Sequence, residues 1–472
     1  MNIALSTPIL WVIFPVVLAI VSGIFHRRQI LNLLLTSLTA FVLTLLAVLL
    51  PETLTISIGP VVIQFSESLG FLGRQINLSY EILPFIAFGY GITGLWLIFS
   101  NIPVVPDYFR SVGLVITALL TAALGVEPFL YAALLIELAI LVSILVLSPT
   151  QDKTSPGILR YLSLQTIAMP LILLAGWLLT GVETLPTDSP LVIQTMIVLG
   201  LGIALLLGVF PFHSWVPMVS QQANPTVVSF ILMMLNTTIL VFSLNFLDRY
   251  AFLREFQTIY TVLRLMGILM IIIGGAWIAY QENLKRSFGF AILSEIGFSL
   301  LCVGLYEKGG LTWLFLLFPA RAIGLWLWGY SLTLIEQRSD SMLIQNLHGF
   351  ARRYPILTLG LTVAQLSLAG LPLFASFPSK FAIFTAIFTR NPLMGIWGFL
   401  GNLGLFLFTF RMLSALLAPN EDKQIVGWSV SEKKKVYLPI LVFILILIFL
   451  GLLPDVFLAN ITETLTSFTQ LQ

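Results

Sequence analysis

Apolar runs of about 20 residues recur along the whole chain, and this repetition constrains the fold more than any other feature of the sequence. A run of that length is what an α-helix needs to cross the hydrocarbon core of a bilayer. Hydrophobic residues make up 58% of the 472 residues and charged residues only 9%, so the apolar surface is too large for one water-soluble core. The sequence therefore predicts an all-α polytopic membrane protein.

The number of membrane spans follows from the number of runs and from the distribution of basic residues. Fourteen runs can be counted, near residues 7–25, 30–50, 80–100, 109–126, 128–148, 158–180, 190–212, 225–246, 259–280, 287–306, 311–335, 355–387, 393–418 and 436–457. With the first loop inside, 14 Lys and Arg residues fall in cytoplasmic loops and 5 on the opposite side. Because short cytoplasmic loops carry the excess of basic residues, fourteen spans with both termini outside are predicted.

The runs divide the chain into four parts. Residues 1–108 contain the N-terminal helices and, over residues 54–80, an alternating segment with a Gly-Pro turn signal that predicts a short β-hairpin on the outer face. Residues 109–246 and 259–418 are predicted to form two five-helix repeats of inverted topology. Residues 419–472 supply a C-terminal loop and the last helix.

Two of the runs are interrupted at corresponding places. Pro211 ends the seventh run, and Gly370 and Pro372 interrupt the twelfth, five spans later. Corresponding broken helices in two halves are typical of inverted repeats, where freed backbone groups line a polar cavity near the membrane midplane. We therefore predict helix breaks at these positions.

Ionisable side chains inside the spans are the candidate functional groups, because each is costly in hydrocarbon unless it faces a wet or paired interior. Four of them suit a proton relay, since burial and neighbours can bring their protonation within reach; these are Glu137, His213, Glu295 and Lys380. Arg321 does not release its proton and is predicted to be a fixed electrostatic modulator. Structural interpretations compete: Glu295 could pair with Lys285 or Arg286, and His213 could cap a half-helix.

Several classes of protein are excluded by composition and motif content. The net charge of +2 and the lack of basic runs alternating with aromatic residues exclude a nucleic-acid partner. Cys302 is the single cysteine, so no disulfide framework and no Cys/His metal spacing can be built. No nucleotide, phosphate or haem motif is found, and no cofactor or metal is predicted.

Four sequence motifs, taken together, resemble those of one membrane-protein family. They lie at residues 211–217 (PFHSWVP) with 223–229 (ANPTVVS), 281–286 (QENLKR), 347–355 (LHGFARRYP) and 370–380 (GLPLFASFPSK). In this order they resemble the signatures of the antiporter-like membrane subunits of respiratory complex I, photosynthetic NAD(P)H-quinone oxidoreductases and Mrp antiporters. The resemblance covers nearly the whole chain, and it implies fourteen spans, the outer hairpin and two broken helices in inverted repeats.

The resemblance also implies roles for individual residues. Glu137 corresponds to the family's glutamate in the fifth span, and Lys380 corresponds to its lysine in the twelfth. In such subunits a glutamate and a lysine of the first half are thought to form a switchable pair, and protons leave through the lysine of the second half.

This sequence departs from the family pattern at several stations. Leu206 stands where the family has the lysine partner of the first-half glutamate, and no ionisable residue lies at 236–238, where a lysine or histidine is expected. Arg321 replaces a lysine, and Glu295 lies where a polar residue or histidine is more usual. These departures favour a diverged member whose first half-channel is inactive.

The leading hypothesis is a membrane-arm subunit of a complex I-like or Mrp-like assembly, coupled to translocation of protons or other monovalent cations. It would have no catalytic activity alone, other membrane subunits as partners, and a place in a bacterial plasma membrane or a thylakoid membrane. Two alternatives remain open. One is a non-conducting structural subunit, and the other is a proton-flux subunit of an inorganic-carbon uptake system.

Overall fold

The computed structural model describes residues 2–25, 27–50, 55–58, 61–71, 73–148, 155–179, 189–419, 428, 430, 432, 434–456, 468, 470 and 471. Helices dominate these residues. They are α1 (Phe14–Ile24), α2 (Gln29–Leu49), α3 (Leu83–Ile98), α4 (Phe109–Gly125), α5 (Ala132–Leu147), α6 (Pro156–Leu179), α7 (Pro190–Leu207), α8 (Trp215–Gln222), α9 (Pro225–Arg249), α10 (Ala251–Glu255), α11 (Gln257–Ala279), α12 (Leu284–Gly304), α13 (Gly310–Glu336), α14 (Phe350–Arg353), α15 (Pro355–Ala369), α16 (Phe377–Arg390), α17 (Pro392–Leu417) and α18 (Lys434–Leu452).

Each of the fourteen apolar runs contains a described helix, and the run at 355–387 contains two, α15 and α16. Within the described ranges, ten helical segments are long and apolar enough to cross a membrane. Four shorter apolar helices accompany them: Ile9–Ile24, Phe109–Gly125, Pro355–Ala369 and Val436–Leu452. The prediction of a multi-pass membrane protein is confirmed.

Short strands flank the first helices. The strands are β1 (Asn2–Ser6), β2 (Thr55–Ile58), β3 (Val61–Ser66), β4 (Ser68–Phe71), β5 (Arg74–Asn77) and β6 (Val126–Glu127). β2 and β3 pair antiparallel, as the predicted hairpin requires, although its Gly-Pro turn at 59–60 lies outside the described residues. β1 adds to β3 in parallel, and β4, β5 and β6 form a second small sheet. The alternation of the segment predicted the hairpin but not these additional strands.

Two helices form the centre of the bundle. Within the apolar part of each helix, 100% of the α12 residues and 94% of the α9 residues are buried, compared with 33% in α6 and 39% in α2. Both central helices begin at an asparagine cap: Asn224 Oδ1 accepts the N–H of Thr226 (3.0 Å), and Asn283 Oδ1 accepts those of Lys285 (3.0 Å) and Arg286 (3.1 Å). Side chains on α12 therefore reach other helices rather than lipid.

Glycines allow α11 and α17 to pack with their backbones in contact. A Cβ built on Gly275 would overlap the carbonyl oxygen of Gly401, and one on Gly404 would overlap that of Gly275. Small residues of this kind permit close approach of membrane helices. This contact places α17 against the second broken helix.

We expect Gly275→Val to separate α11 from α17 and to destabilise the protein by about 3 kcal/mol or more, because neither backbone can move aside within the bundle. The thermal unfolding midpoint in detergent measures this. Gly200→Val on α7 is the matched control, since a Cβ on Gly200 meets nothing within 4 Å. Equal midpoints for the two variants would contradict the packing argument.

Candidate functional site

The second broken helix ends in a tight cap. Helix α15 stops at Ala369, and Gly370 follows in the left-handed region at φ +82°, which only glycine adopts at little cost. The last four carbonyl oxygens of α15 all accept a hydrogen bond, two from backbone and two from side chains. The pairs are Leu371 N to Leu366 O (3.0 Å), Gly370 N to Ser367 O (3.0 Å), Lys380 Nζ to Leu368 O, and Asn402 Nδ2 to Ala369 O (2.8 Å).

Lys380 lies in the first turn of α16 and points back into the break. A Cβ on Gly370 would come within 3.0 Å of Lys380 Cδ, so the glycine also makes room for the lysine stem. The lysine is only 2% exposed, and its Nζ lies 3.9 Å from the centroid of the Phe298 ring. The ammonium is therefore held by a helix carbonyl and an aromatic face, away from solvent.

Glu295 is the carboxylate partner of this lysine. Lys380 Nζ donates to Glu295 Oε1 at 2.7 Å, and Arg321 Nε donates to the other oxygen, Oε2, at 3.2 Å. Arg321 Nη2 also donates to the backbone oxygen of Glu295 (2.8 Å) and to Ser299 Oγ (2.7 Å). The three charged side chains, on α12, α13 and α16, are each at most 2% exposed and form one buried network, which we call the ion triad.

The alternative pairing of Glu295 with the basic residues at the start of α12 is wrong. Lys285 instead bonds Glu336 at 2.7 Å, across the ends of α12 and α13. At the far end of α16, Arg390 donates to Glu307 Oε2 (3.2 Å), and this hydrogen bond lowers the pKa of that carboxyl. These peripheral pairs fix the helix ends and leave Glu295 to the triad.

An apolar cleft of about 920 Å³ opens beside Lys380, between α16 and α17. Its polar side chains are those of Lys380, Asn402, Thr385 and Thr389, and seven phenylalanines line most of the rest. Among them Phe381 and Phe410 are about 60% exposed at the surface of the bundle. The lysine thus lies between a cleft lined mainly by aromatic side chains and the backbone of the second broken helix.

The first broken helix repeats the geometry of the second in the same register. Helix α7 stops at Leu207, Gly208 has φ +63°, and its N–H bonds Leu205 O (3.2 Å) as Gly370 N bonds Ser367 O. In both breaks the next helix begins seven residues after the glycine, at Trp215 and at Phe377. Pro211 lies inside the first break but does not end the helix, which corrects the prediction. The helical conformation ends three residues earlier, at the left-handed Gly208.

The chemistry of the two breaks differs although the backbone is alike. The carbonyl two residues before the glycine is capped by the neutral amide of Gln165 in the first break, which bonds Leu206 O at 3.0 Å. In the second break the equivalent Leu368 O is capped by the ammonium of Lys380. The first-break residue in the register of Lys380 is Met218.

Glu137 is buried on α5 and lacks a cationic partner. It is 6% exposed; Thr166 Oγ1 donates to its Oε1 at 2.7 Å, and Oε2 has no hydrogen-bond partner. Within the described ranges, no Lys, Arg or His nitrogen lies within 4.0 Å of this carboxylate. Glu137 is therefore a buried carboxyl group without an ion-pair partner among the described residues.

The other candidate or expected relay positions of the first half, His213 and residues 236–238, are also separate from the ion triad. His213 is half-buried in the turn before α8, with its ring stacked on Phe210 at 5.7 Å and its Nδ1 without a partner. Asn236 and Thr238 are buried on α9, and Thr237 Oγ1 donates to Met233 O at 2.8 Å. None of these residues contacts Glu137 in the described structure.

Of the predicted site residues, the structure brings three together, Glu295, Arg321 and Lys380, and leaves Glu137 and His213 elsewhere. Sequence reasoning missed three residues that complete the caps and the triad: Gln165, Ser299 and Asn402. Ser299 follows Glu295 by one helical turn, which puts both on one face and was a usable signal. The two amides carried no local signal, because their targets are on distant helices.

The fold and the site define a class of protein: a multi-pass membrane protein with two broken helices in one register and a buried ion triad at the second. Residues 178–405 match the family model described as NADH:quinone oxidoreductase/Mrp antiporter, transmembrane region. The matched residues contain all four motifs, and the resemblance that the motifs indicated is confirmed.

Relatives and solved structures agree with this assignment. NADH-quinone oxidoreductase subunit N of Cytophaga hutchinsonii is 28% identical over 312 residues, which cover 64% of this chain and 67% of that protein. Among the first curated relatives the match spans 49% to 67% of their length. The membrane-bound sulfane sulfur reductase, an archaeal respiratory membrane complex, contains a chain with a TM-score of 0.82 at 16% identity, with 98% of both chains covered. A chain of the Mrp complex from Dietzia sp. DQ12-45-1b gives 0.80 at 15% identity, covering 98% of this chain and 97% of that one.

Proposed function

We propose that this chain is a membrane subunit of a complex I-like or Mrp-like assembly and that it moves protons through its second half, with Lys380 as the exchanging group. Fourteen spans and two inverted five-helix repeats are part of this proposal. The common register of the two breaks supports the repeats, and the four short apolar helices would supply the spans beyond the ten long ones.

The observation that carries the proposal is the ion triad. Its two cations face one carboxylate, so the network has one net positive charge when Lys380 is protonated and none when the lysine is neutral. Desolvation favours the neutral amine, while Glu295 and the Leu368 carbonyl favour the ammonium. Of the two cations only the lysine can act as a carrier, because a guanidinium stays protonated at any ordinary pH.

Arg321 determines which member of the triad can switch. A guanidinium stays protonated at any ordinary pH, and three hydrogen bonds fix this one to the Glu295 side chain, its backbone oxygen and Ser299. Glu295 therefore keeps a permanent counter-charge when Lys380 becomes neutral. The proton that moves is the one on Nζ, and Arg321 and Glu295 act as positioning residues.

The first half is proposed to be inactive because Glu137 has no Lys, Arg or His partner among the residues that the structure describes. We expect Glu137→Gln to leave proton flux within about twofold of wild type, since the amide keeps the hydrogen bond from Thr166 and no partner charge is lost. The measurement is flux per assembly in liposomes. Loss of flux in this variant would place conduction in the first half and contradict the proposal.

The assembly itself tests the function. The full chain is purified in mild detergent with the subunits that accompany it and is reconstituted into liposomes containing a pH dye. A potassium gradient with valinomycin imposes a membrane potential, so no redox donor needs to be known. Dye acidification or alkalinisation above that of protein-free liposomes is the expected result, and its absence would support a non-conducting structural subunit.

A further inference from the structure

The second break contains three buried hydroxyl groups that no interaction of the triad uses. Ser367, Ser376 and Ser379 are each 0% exposed, and their Oγ atoms have no hydrogen-bond partner. An unpaired buried hydroxyl costs free energy, so alanine at the same positions would be at least as stable. Three such groups at one break call for an explanation other than packing.

All three serines are close to Lys380 along the chain or through a backbone hydrogen bond. Ser376 precedes it by one helical turn and accepts the Lys380 backbone N–H at 3.1 Å, so the two side chains share a face of α16. Ser379 is its neighbour in sequence. Ser367 lies immediately before Leu368, whose carbonyl oxygen accepts Nζ.

The first break, with the same register, has lost this lining together with the lysine. The positions equivalent to Ser367 and Ser379 are Leu205 and Pro217, which are buried and carry no hydroxyl. The equivalent of Ser376 is Ser214, whose hydroxyl accepts a hydrogen bond from the exposed Arg160 at 3.1 Å. Unpaired buried hydroxyls are therefore found at the break that has the lysine, whereas the unpaired buried atoms at the first break belong to the Gln165 amide and the His213 and Trp215 rings.

We propose that Ser367, Ser376 and Ser379 form the polar lining through which Lys380 exchanges its proton with water; this inference rests on the proposed function. A hydroxyl accepts with its lone pairs and donates with its O–H, so it passes a proton onward without becoming charged. The Nζ–H bond breaks and the amine keeps the electron pair. The proton passes to an oxygen atom of the hydroxyl groups or of water between them, and that oxygen releases a proton to the next one. The other surface beside Lys380, the phenylalanine-lined cleft, has the hydroxyls of Thr385 and Thr389, and both already donate to backbone carbonyl oxygens, those of Phe381 and Ala386.

Removal of the hydroxyls tests the inference in the reconstituted assembly with an imposed potential. We expect Ser367→Ala, Ser376→Ala and Ser379→Ala each to lower proton flux, and the triple variant to lower it roughly tenfold or more. The thermal midpoint should stay the same or rise, because no hydrogen bond is lost. Ser376→Thr, which keeps a hydroxyl at the helix cap, should retain flux.

Ser331→Ala is the matched control. Ser331 is also fully buried with an unpaired hydroxyl, but it lies ten residues beyond Arg321 on α13, about 15 Å along the helix. Its flux should equal wild type. Wild-type flux in the triple variant together with loss of flux in Lys380→Met would overturn this inference alone, whereas unchanged flux in Lys380→Met would overturn the proposed function.

Discussion

Lys380→Met should reduce proton flux through the reconstituted assembly roughly 100-fold or more, the range in which a positioned proton-transferring side chain contributes. Methionine keeps an unbranched stem that fits past Gly370, and it is the residue that the first break has in the same register. The substitution removes the member of the triad to which the proposal assigns the exchanged proton. Glu295 stays paired with Arg321, so no unpaired charge is left behind.

Stability separates this loss of function from loss of structure. The variant leaves Leu368 O without its side-chain donor, which costs about 1–3 kcal/mol. We expect assembly with the other subunits to be retained and the thermal midpoint to fall only slightly. Met218→Leu at the equivalent position of the first break should change neither quantity.

Lys380→Arg distinguishes a carrier from a fixed charge. Arginine preserves the positive charge beside Glu295 but does not give up its proton. If Lys380 acts by protonation and deprotonation, this variant should be as defective in flux as the methionine variant. Retention of more than half of the wild-type flux would show that only the charge at this place matters.

The architecture could be predicted from the sequence because membrane spans are set by local quantities. Run length and hydropathy fixed the positions of the helices, and glycine and proline marked the interruptions at Gly370 and Pro372. The first break was assigned to Pro211 because proline is the more conspicuous helix breaker. Helix α7 ends at Leu207, and Gly208 forms its left-handed cap through a local hydrogen bond from its N–H to Leu205 O.

The site could be predicted only as a set of candidates. Glu295, Arg321 and Lys380 were identified singly, because charge inside a span is costly wherever it occurs. Their joining depends on how α12, α13 and α16 pack, which no local pattern encodes. The pairing of Glu295 with Lys285, which the sequence leaves open, does not form because the two lie ten residues apart, about 15 Å along the helix, beyond the reach of one side chain.

The first half shows why a matched backbone does not establish a matched function. Gln165 and Lys380 cap carbonyls at equivalent places of the two breaks, so both satisfy the end of a broken helix. Only the second cap can change its charge. Both breaks therefore need a donor for this carbonyl oxygen, but only a lysine donor adds a group that can exchange a proton.

Glu295→Ala should have the largest effect on stability. It removes the one carboxylate between two buried cations, and breaking a buried ion pair from one side costs about 3–5 kcal/mol. Lys380 can relieve this by losing its proton, but Arg321 cannot, so most of the penalty remains. The thermal midpoint in detergent and the amount of chain in the membrane both measure it. Glu336→Gln is the control, since Glu336 pairs with Lys285 at a helix end and is 27% exposed, and it should cost much less.

Replacement of all three residues of the ion triad separates its contribution to stability from its contribution to proton flux. In the Glu295→Leu, Arg321→Met, Lys380→Met variant no charge is left unpaired, and apolar replacement of a buried ion network is often neutral or stabilising. We expect its midpoint to return to within about 1–2 kcal/mol of wild type while proton flux stays at the level of Lys380→Met. A triple variant as unstable as Glu295→Ala would mean that the triad holds the bundle together by its specific geometry. Recovery of stability without flux would mean that the charges are present for conduction, because packing alone does not need them.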